Sequence, residues 1–180
     1  EAPKARVVVQ IMPPFRRKIS GPWLRQVAET TLSSQVTGNH DLPVEGREIS
    51  LFIADDATLL DLNQRYRGLD EVTDVLAFSF LHSMHSKSEN EASAEELAVF
   101  PYAESQEELF GEVIVSLPRA ENQAHQAGHP LHKELAILVI HGVLHLLGYD
   151  HAEPEDERIM WKLQDTALSL VLQDDVTQGV

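Results

Sequence analysis

The stretch from residue 131 to residue 151 says most about the fold, and it reads LHKELAILVIHGVLHLLGYDH. Residues 131–147 are mostly apolar, which predicts a helix that is buried on most of its sides. His141 and His145 stand four residues apart, so a helix places them on one face, one turn apart. Gly148 can adopt the left-handed conformation that ends a helix, and the resulting turn can bring His151 to the same point.

Three imidazoles that converge on one point, with a fourth position open, are typical of a catalytic zinc site. Two histidines inside an aliphatic helix would be costly to bury without partners, which argues against an ordinary core role. The chain has no cysteine, so any zinc must rest on histidines and carboxylates. Water bound to a metal with three neutral ligands would be strongly acidified. We therefore predict one Zn²⁺ ion at His141, His145 and His151, with nickel as an alternative.

The spacing of these histidines is also that of the metzincin metalloproteases, H-x-x-x-H-x-x-G-x-x-H. Those enzymes use a glutamate directly after the first histidine as the general base. Gly142 occupies that position here and cannot transfer a proton, which weakens the peptidase interpretation without removing it. Asp150 could close the metal shell, as in a structural zinc site, or lie in the outer shell.

The rest of the chain predicts a small mixed sheet packed with helices. Alternating apolar residues predict four strands, at Val7–Ile11, Ile49–Ile53, Asp74–Phe80 and Glu112–Ser116. Turn and capping residues predict further helices, which begin near Gly21, Asp56, Pro118 and Pro154. Strands and helices do not alternate regularly, so we expect the α+β class. With 180 residues, the chain fits one metal-dependent hydrolase domain over residues 1–180.

Charge and hydropathy narrow the choice of partners. The formal net charge of -15 argues against broad affinity for nucleic acid or anionic membranes. Residues 1–30 are net basic, however, so a local basic groove remains possible. Residues 81–109 are rich in Ser, Glu and Ala, and we expect an acidic, flexible surface insertion there. Neither a transmembrane helix nor a signal peptide is expected, and we place the protein in the cytoplasm, or in an organelle if the host is eukaryotic.

The remaining histidines receive no functional role. We expect His125, His129 and His132 to lie on the solvated surface. We assign no function to His40, His82 and His85, which stand in loop-like stretches.

The segment from His141 to His151 closely resembles the signature of the YbeY endoribonucleases, which act in ribosomal RNA maturation. The similarity covers nearly the whole chain except about residues 81–109. Residues 62–67 (LNQRYR) resemble the family's helix with an essential arginine. Residues 72–78 (VTDVLAF) resemble its next strand, with Val72 where Pro is usual and Ala77 where Ser is usual. Residues 111–116 (GEVIVS) resemble a further strand of the family.

The resemblance implies a zinc-dependent endoribonuclease specific for single-stranded RNA. It implies action at the 3′ end of small-subunit ribosomal RNA and in ribosome quality control. Its metal ligands would be His141, His145 and His151, and Arg67 would be the catalytic or substrate-binding arginine. Its partners would be ribosomal RNA, the small subunit and assembly factors, with no role for DNA or membranes. Two alternatives stay open, a metal-dependent hydrolase of another class and a noncatalytic, zinc-stabilised ribosome assembly factor.

The role implied for Arg67 agrees with the chemistry of phosphodiester cleavage. Negative charge grows on the phosphate in the transition state, and a metal and a guanidinium on different oxygens would stabilise it. The planar fork of arginine can grip two phosphate oxygens. On sequence alone, an arginine near a helix C-terminus often only complements the helix dipole. An RNA path could also be lined by Arg65, Arg119 and Lys133, which we expect on solvated surface. The run Arg16-Arg17-Lys18 could grip backbone phosphates or be a charged loop.

Overall fold

A computed structural model describes residues 5–34, 44, 46–80 and 109–178. Its four strands are β1 (Arg6–Ile11), β2 (Glu48–Ala54), β3 (Val75–Ser79) and β4 (Leu109–Ser116). They form one sheet in the order β1-β2-β4-β3. β1 pairs with β2 and β2 with β4 in parallel, whereas β3 pairs with β4 antiparallel. The predicted small mixed sheet and the α+β class are confirmed.

Five α-helices surround this sheet within the described residues. They are α1 (Gly21–Ser34), α2 (Asp56–Arg67), α3 (Leu117–Ala127), α4 (Leu131–Leu146) and α5 (Pro154–Gln178), with a short 3-10 turn at Pro13–Phe15. Asp55 caps α2, since its side chain accepts a hydrogen bond from the backbone N–H of Thr58. None of the described helices is both long enough and apolar enough to cross a membrane.

The largest core lies between one face of the sheet and the helices α1, α3, α4 and α5. Helix α4 is its centre, because it contacts α1, α3, α5, β3 and β4. The apolar side chains of α4 are almost all buried there, as the sequence predicts for a helix of this composition. A smaller apolar cluster forms where α2 packs on the sheet, with Leu59 and Leu62 against Leu76 and Ile114. The sheet thereby fixes α2 and α4 relative to each other.

β1, β2 and β3 differ from the predicted strands by at most one residue at either end, whereas the start of β4 differs by three residues. β4 begins at Leu109 rather than at Glu112, because Leu109 and Gly111 already pair with β2. The end assigned to the acidic insertion, residue 109, is therefore wrong. The other residues of that insertion, 81–108, lie outside the described residues.

Candidate metal centre

The turn that follows α4 places His151 near the other two histidines. The N–H of Gly148 donates to the carbonyl of His145 at 3.0 Å, and the N–H of Tyr149 donates to that of Leu144 at 3.1 Å. This is the Schellman pattern, which requires a left-handed residue just after the helix. Gly148 has a φ of 89°, a conformation that glycine adopts without a Cβ penalty. The chain therefore reverses directly after α4, as the sequence predicts.

The side chains of His141, His145 and His151 form one cluster. Each offers a ring nitrogen, and these three atoms lie within 4.8 Å of one another. The Nε2 atoms of His141 and His145 are 3.0 Å apart. The ring of His151 lies 5.7 Å from the ring of His141 and 5.3 Å from that of His145, measured between centroids. The four-residue spacing and the glycine turn thus bring together all three predicted ligands.

This donor set fits a small divalent metal. Tetrahedral zinc with bonds of about 2.0–2.1 Å would hold its ligand nitrogens roughly 3.3–3.4 Å apart. The separation of 3.0 Å between the Nε2 atoms of His141 and His145 is close to that value. His141 and His145 are half-buried and His151 is exposed, so the cluster opens to solvent on one side. Three neutral nitrogens with an open side are the donor set of a catalytic rather than a structural site.

Electrostatics favours the neutral form of both helix histidines. Burial lowers the pKa of His141 below its usual value, and hydrogen bonding to Gln164 and the charge of Asp74 oppose this only in part. Burial also lowers the pKa of His145, and the neighbouring His141 and His151 add to the effect. Only a neutral imidazole has a lone pair for a metal. The fold therefore keeps these two side chains ready to bind one.

The histidines open into a cleft of about 590 Å³, called here the histidine cleft. It lies beside the edge strand β3. Besides the three histidines, its polar lining consists of Arg67, Thr73, Asp74, Ser79, Tyr149 and Asp150. The guanidinium carbon of Arg67 lies 5.9 Å from the centroid of the Phe78 ring, within the range of a cation–π contact. Arg67 is exposed and has no ion pair with a described carboxylate, so its charge remains directed to solvent and the cleft.

The comparison with known families follows from this geometry. A family model described as "Endoribonuclease YbeY" matches residues 16–171. The chain belongs to the YbeY family. This match spans all the strands from β2 onwards and the complete histidine motif, so the family resemblance of the sequence is confirmed.

Bacterial members of the YbeY family are close relatives in sequence. A protein of Dehalococcoides mccartyi named "Endoribonuclease YbeY" is 41% identical over 160 residues, which cover 89% of this chain and 86% of the relative. One of the same name from Pelotomaculum thermopropionicum is 43% identical over 125 residues, covering 69% of this chain and 72% of the relative. The chain thus covers most of the length of these YbeY proteins.

The fold of this YbeY family member is similar to a solved structure. The solution structure of TM1509 from Thermotoga maritima matches with a TM-score of 0.54 and 24% sequence identity. The match covers 95% of this chain and 93% of that protein. At this level of identity, the similarity concerns the fold.

The other basic residues considered from the sequence lie mostly on the surface with local partners. Arg65 pairs with Asp61 on the same helix, and Lys18 pairs with Glu121 at 2.6 Å. Arg119 lies 3.6 Å from Asp56. Arg67 differs from these residues, since it lines the histidine cleft.

The surface prediction is correct for His125 and His132, which are exposed, but wrong for His129. The side chain of His129 is 18% exposed, and its Nε2 lies 3.0 Å from a carboxylate oxygen of Glu134. His129 lies in the tight connection between α3 and α4, where this pairing buries both side chains. The sequence spacing does not indicate such a contact across a helix junction.

Two residues near the three histidines, Asp74 and Gln164, were not predicted from the sequence. Asp74 lines the cleft, and its carboxylate accepts hydrogen bonds from the N–H of Val75 at 2.8 Å and from the amide of Gln123 at 3.0 Å. Gln164 contacts His141 from α5. The sequence could have indicated Gln164, because it is a polar residue on the apolar face of α5 formed by Met160, Ala167 and Val171.

Proposed function

We propose that this protein is a metal-dependent endoribonuclease that cleaves single-stranded ribosomal RNA. The observation that carries the proposal is the convergence of three imidazoles at the wall of a cleft that Arg67, an arginine without an ion pair among the described residues, also lines. Membership of the YbeY family supports an RNA substrate, because its bacterial relatives carry the name endoribonuclease.

In this proposal His141, His145 and His151 hold one zinc ion. Zinc would supply Lewis acidity and a nucleophile at neutral pH. The protein's own contribution is a rigid frame, since α4 is fixed between the sheet and α5 and the Gly148 turn holds His151. A frame that is set before substrate arrives needs no reorganisation during the reaction.

Arg67 is the proposed catalytic arginine. Its guanidinium would bind oxygens of the scissile phosphate and stabilise the negative charge that grows in the transition state. Arg67 lies in the last turn of α2, where its positive charge interacts favourably with the helix dipole. Its side chain is still exposed, so the guanidinium can reach a substrate. The contact with Phe78 restrains the side chain at the rim of the cleft without neutralising its charge.

The overall charge of the protein favours a substrate held by local contacts. With a net charge of -15, the surface as a whole repels a polyanion, so attraction would come from the metal and a few cations such as Arg67. A flexible single strand can place one phosphate in the cleft while the remaining chain avoids acidic surface. A double helix is stiff and has less freedom to do so. These considerations support the preference for single-stranded RNA.

The assignment to ribosomal RNA maturation extends the proposal to the cell. We place the protein in the bacterial cytoplasm, acting at the 3′ end of small-subunit RNA and in ribosome quality control, with the small subunit and assembly factors as partners. The residues 1–180 would act as one domain, and residues 81–108 would modulate access as an acidic insertion. A strain that lacks the gene should accumulate unprocessed RNA at that end, and the wild-type gene should restore processing.

A direct test compares two RNAs of the same sequence, one single-stranded and one annealed to its complement. The purified protein should cleave the single strand after addition of zinc. Cleavage should stop with a chelator and return when zinc is added back. Equal cleavage of both RNAs, or cleavage that a chelator does not affect, would contradict the proposal. The same preparation should leave peptide substrates intact, since Gly142 stands where metzincin proteases have their general base.

A further inference from the structure

The side chain of Gln164 makes a specific contact with the metal centre from a neighbouring helix. Its oxygen Oε1 lies 3.1 Å from Nδ1 of His141. Gln164 is only 5% exposed and faces the core side of α5, where its neighbours are mainly apolar. Burying an amide among apolar groups is costly unless the amide is hydrogen-bonded. An apolar side chain could fill this space without that cost, so the contact with His141 is what distinguishes the amide here.

The chemistry of this contact fixes the position of one proton. An amide oxygen can only accept a hydrogen bond, so this contact is a hydrogen bond when Nδ1 of His141 carries the hydrogen. The lone pair of the neutral ring is then on Nε2, the atom that lies 3.0 Å from Nε2 of His145. This is the nitrogen that faces the centre of the three-histidine cluster. We propose that Gln164 is a positioning residue that holds His141 in the tautomer and orientation needed for metal binding.

The two ligands on α4 are oriented in different ways. His145 has a hydrogen bond with the backbone of Tyr149, in the turn after the helix. A backbone partner is present with any side chain at that position. His141 depends on the side chain of Gln164, 23 residues further along the chain. The orientation of His141 is therefore open to a test by substitution at Gln164.

This inference rests on the proposed metal site. The following experiment distinguishes an error in the metal site from an error in the role of Gln164. Zinc affinity is measured by competition with a chromogenic chelator for wild type, Gln164→Leu, Gln164→Glu and the control Gln126→Leu. Gln126 is an exposed glutamine of α3 that does not line the histidine cleft, so its substitution removes an amide without touching the cleft. If wild type itself fails to bind zinc, the proposed metal site is wrong. If wild type binds zinc, the variants decide the role of Gln164.

We expect Gln164→Leu to lower zinc affinity roughly 10- to 100-fold, as the loss of such a partner usually does. Gln164→Glu should retain wild-type affinity or exceed it, because a carboxylate also accepts a hydrogen bond from Nδ1. Unchanged affinity in Gln164→Leu would overturn the proposal, and so would an equal loss in the Leu and Glu variants. The control Gln126→Leu should bind zinc as wild type does.

A second readout does not require a metal or a stable Leu variant. Nitrogen-15 NMR of the histidine rings in the metal-free protein reports which nitrogen carries the hydrogen. In wild type and Gln164→Glu, His141 should carry it on Nδ1. In Gln164→Leu, the hydrogen should move toward Nε2. A wild-type protein with the hydrogen of His141 on Nε2 would overturn the proposal even if Gln164→Leu does not fold.

Discussion

Gly142 on α4 lies so close to Val113 on β4 that a Cβ at this position would be 2.5 Å from Cγ1 of Val113. A Cβ would also lie 3.3 Å from Cγ2 of Val75 on β3. Gly142 directly follows His141, so its lack of a side chain lets the turn of α4 that carries His141 approach the sheet. The same contact leaves no room for the glutamate that metzincins have at this position.

Replacing Gly142 with alanine should therefore destabilise the protein. Val113 is completely buried and cannot move away, so we expect a loss of about 1–3 kcal/mol in the free energy of unfolding. Urea unfolding of the metal-free protein measures it. Gly21→Ala is the matched control, because its Cβ would only touch Ile11 at 3.8 Å. The control should change the free energy by less than about 0.5 kcal/mol. Equal stability of both variants would contradict the close packing.

A substitution of the exposed, proposed ligand His151 separates metal binding from folding. His151→Ala removes one proposed ligand but no core contact, since the residue is exposed. The metal-free variant should unfold within about 0.5 kcal/mol of wild type. Wild type should become more stable when zinc is added, whereas the variant should gain much less. Thermal unfolding with and without zinc measures both effects. A full zinc response in the variant would exclude His151 as a ligand.

Arg67 should matter for cleavage but not for metal binding. Arg67→Lys keeps the charge and loses the planar fork, so we expect the cleavage rate to fall at least about 10-fold; Arg67→Ala should lower it about 10²- to 10³-fold. Zinc content should be unchanged in both variants. Arg65→Lys is the control, because Arg65 pairs with Asp61 on the exposed side of the same helix. Equal losses of activity in Arg65→Lys and Arg67→Lys would contradict a specific role of Arg67 in the cleft. The loss would then come from overall charge or from a change in α2.

The metal-free protein should become less stable on mild acidification. Burial lowers the pKa of His141 and His145 below the usual 6.5, so the unfolded chain binds protons at a higher pH than the folded one. At pH values above 6.5 these histidines are neutral in both states and do not affect stability. As the pH falls from 6.5 toward the lowered pKa values of the folded state, the unfolded chain takes up protons first and the free energy of unfolding decreases. Urea unfolding at a series of pH values measures the slope. The double variant His141→Gln, His145→Gln should show a smaller slope of unfolding free energy against pH. A slope equal to that of wild type would mean that other groups cause the pH dependence.

The sequence was sufficient to predict the parts of the site that depend on local spacing. Two histidines four residues apart must share a helix face, and Gly148 is suited to the left-handed turn that returns the chain. The apolar helix α4 and the four strands follow from hydropathy in the same way. The three histidines could thus be placed together before any tertiary contact was known.

Contacts between distant elements could not be predicted in this way. Gln164 reaches His141 because α5 packs on α4 at one particular angle, and no spacing rule encodes that angle. The pairing of His129 with Glu134 depends on the tight α3–α4 connection. The first residues of β4 follow a polar stretch, and their strand structure comes from pairing with β2. In each case tertiary packing decides the outcome.

The most direct test of the proposed function is cleavage of a single-stranded ribosomal RNA fragment by zinc-loaded wild type and by His145→Ala, purified identically. His145 is a proposed ligand at the centre of the cluster, 3.0 Å from His141. Wild type should cleave the fragment at discrete positions, and His145→Ala should leave it intact while remaining folded. Equal cleavage by the two proteins would contradict the account, because the activity would then not depend on the three-histidine centre.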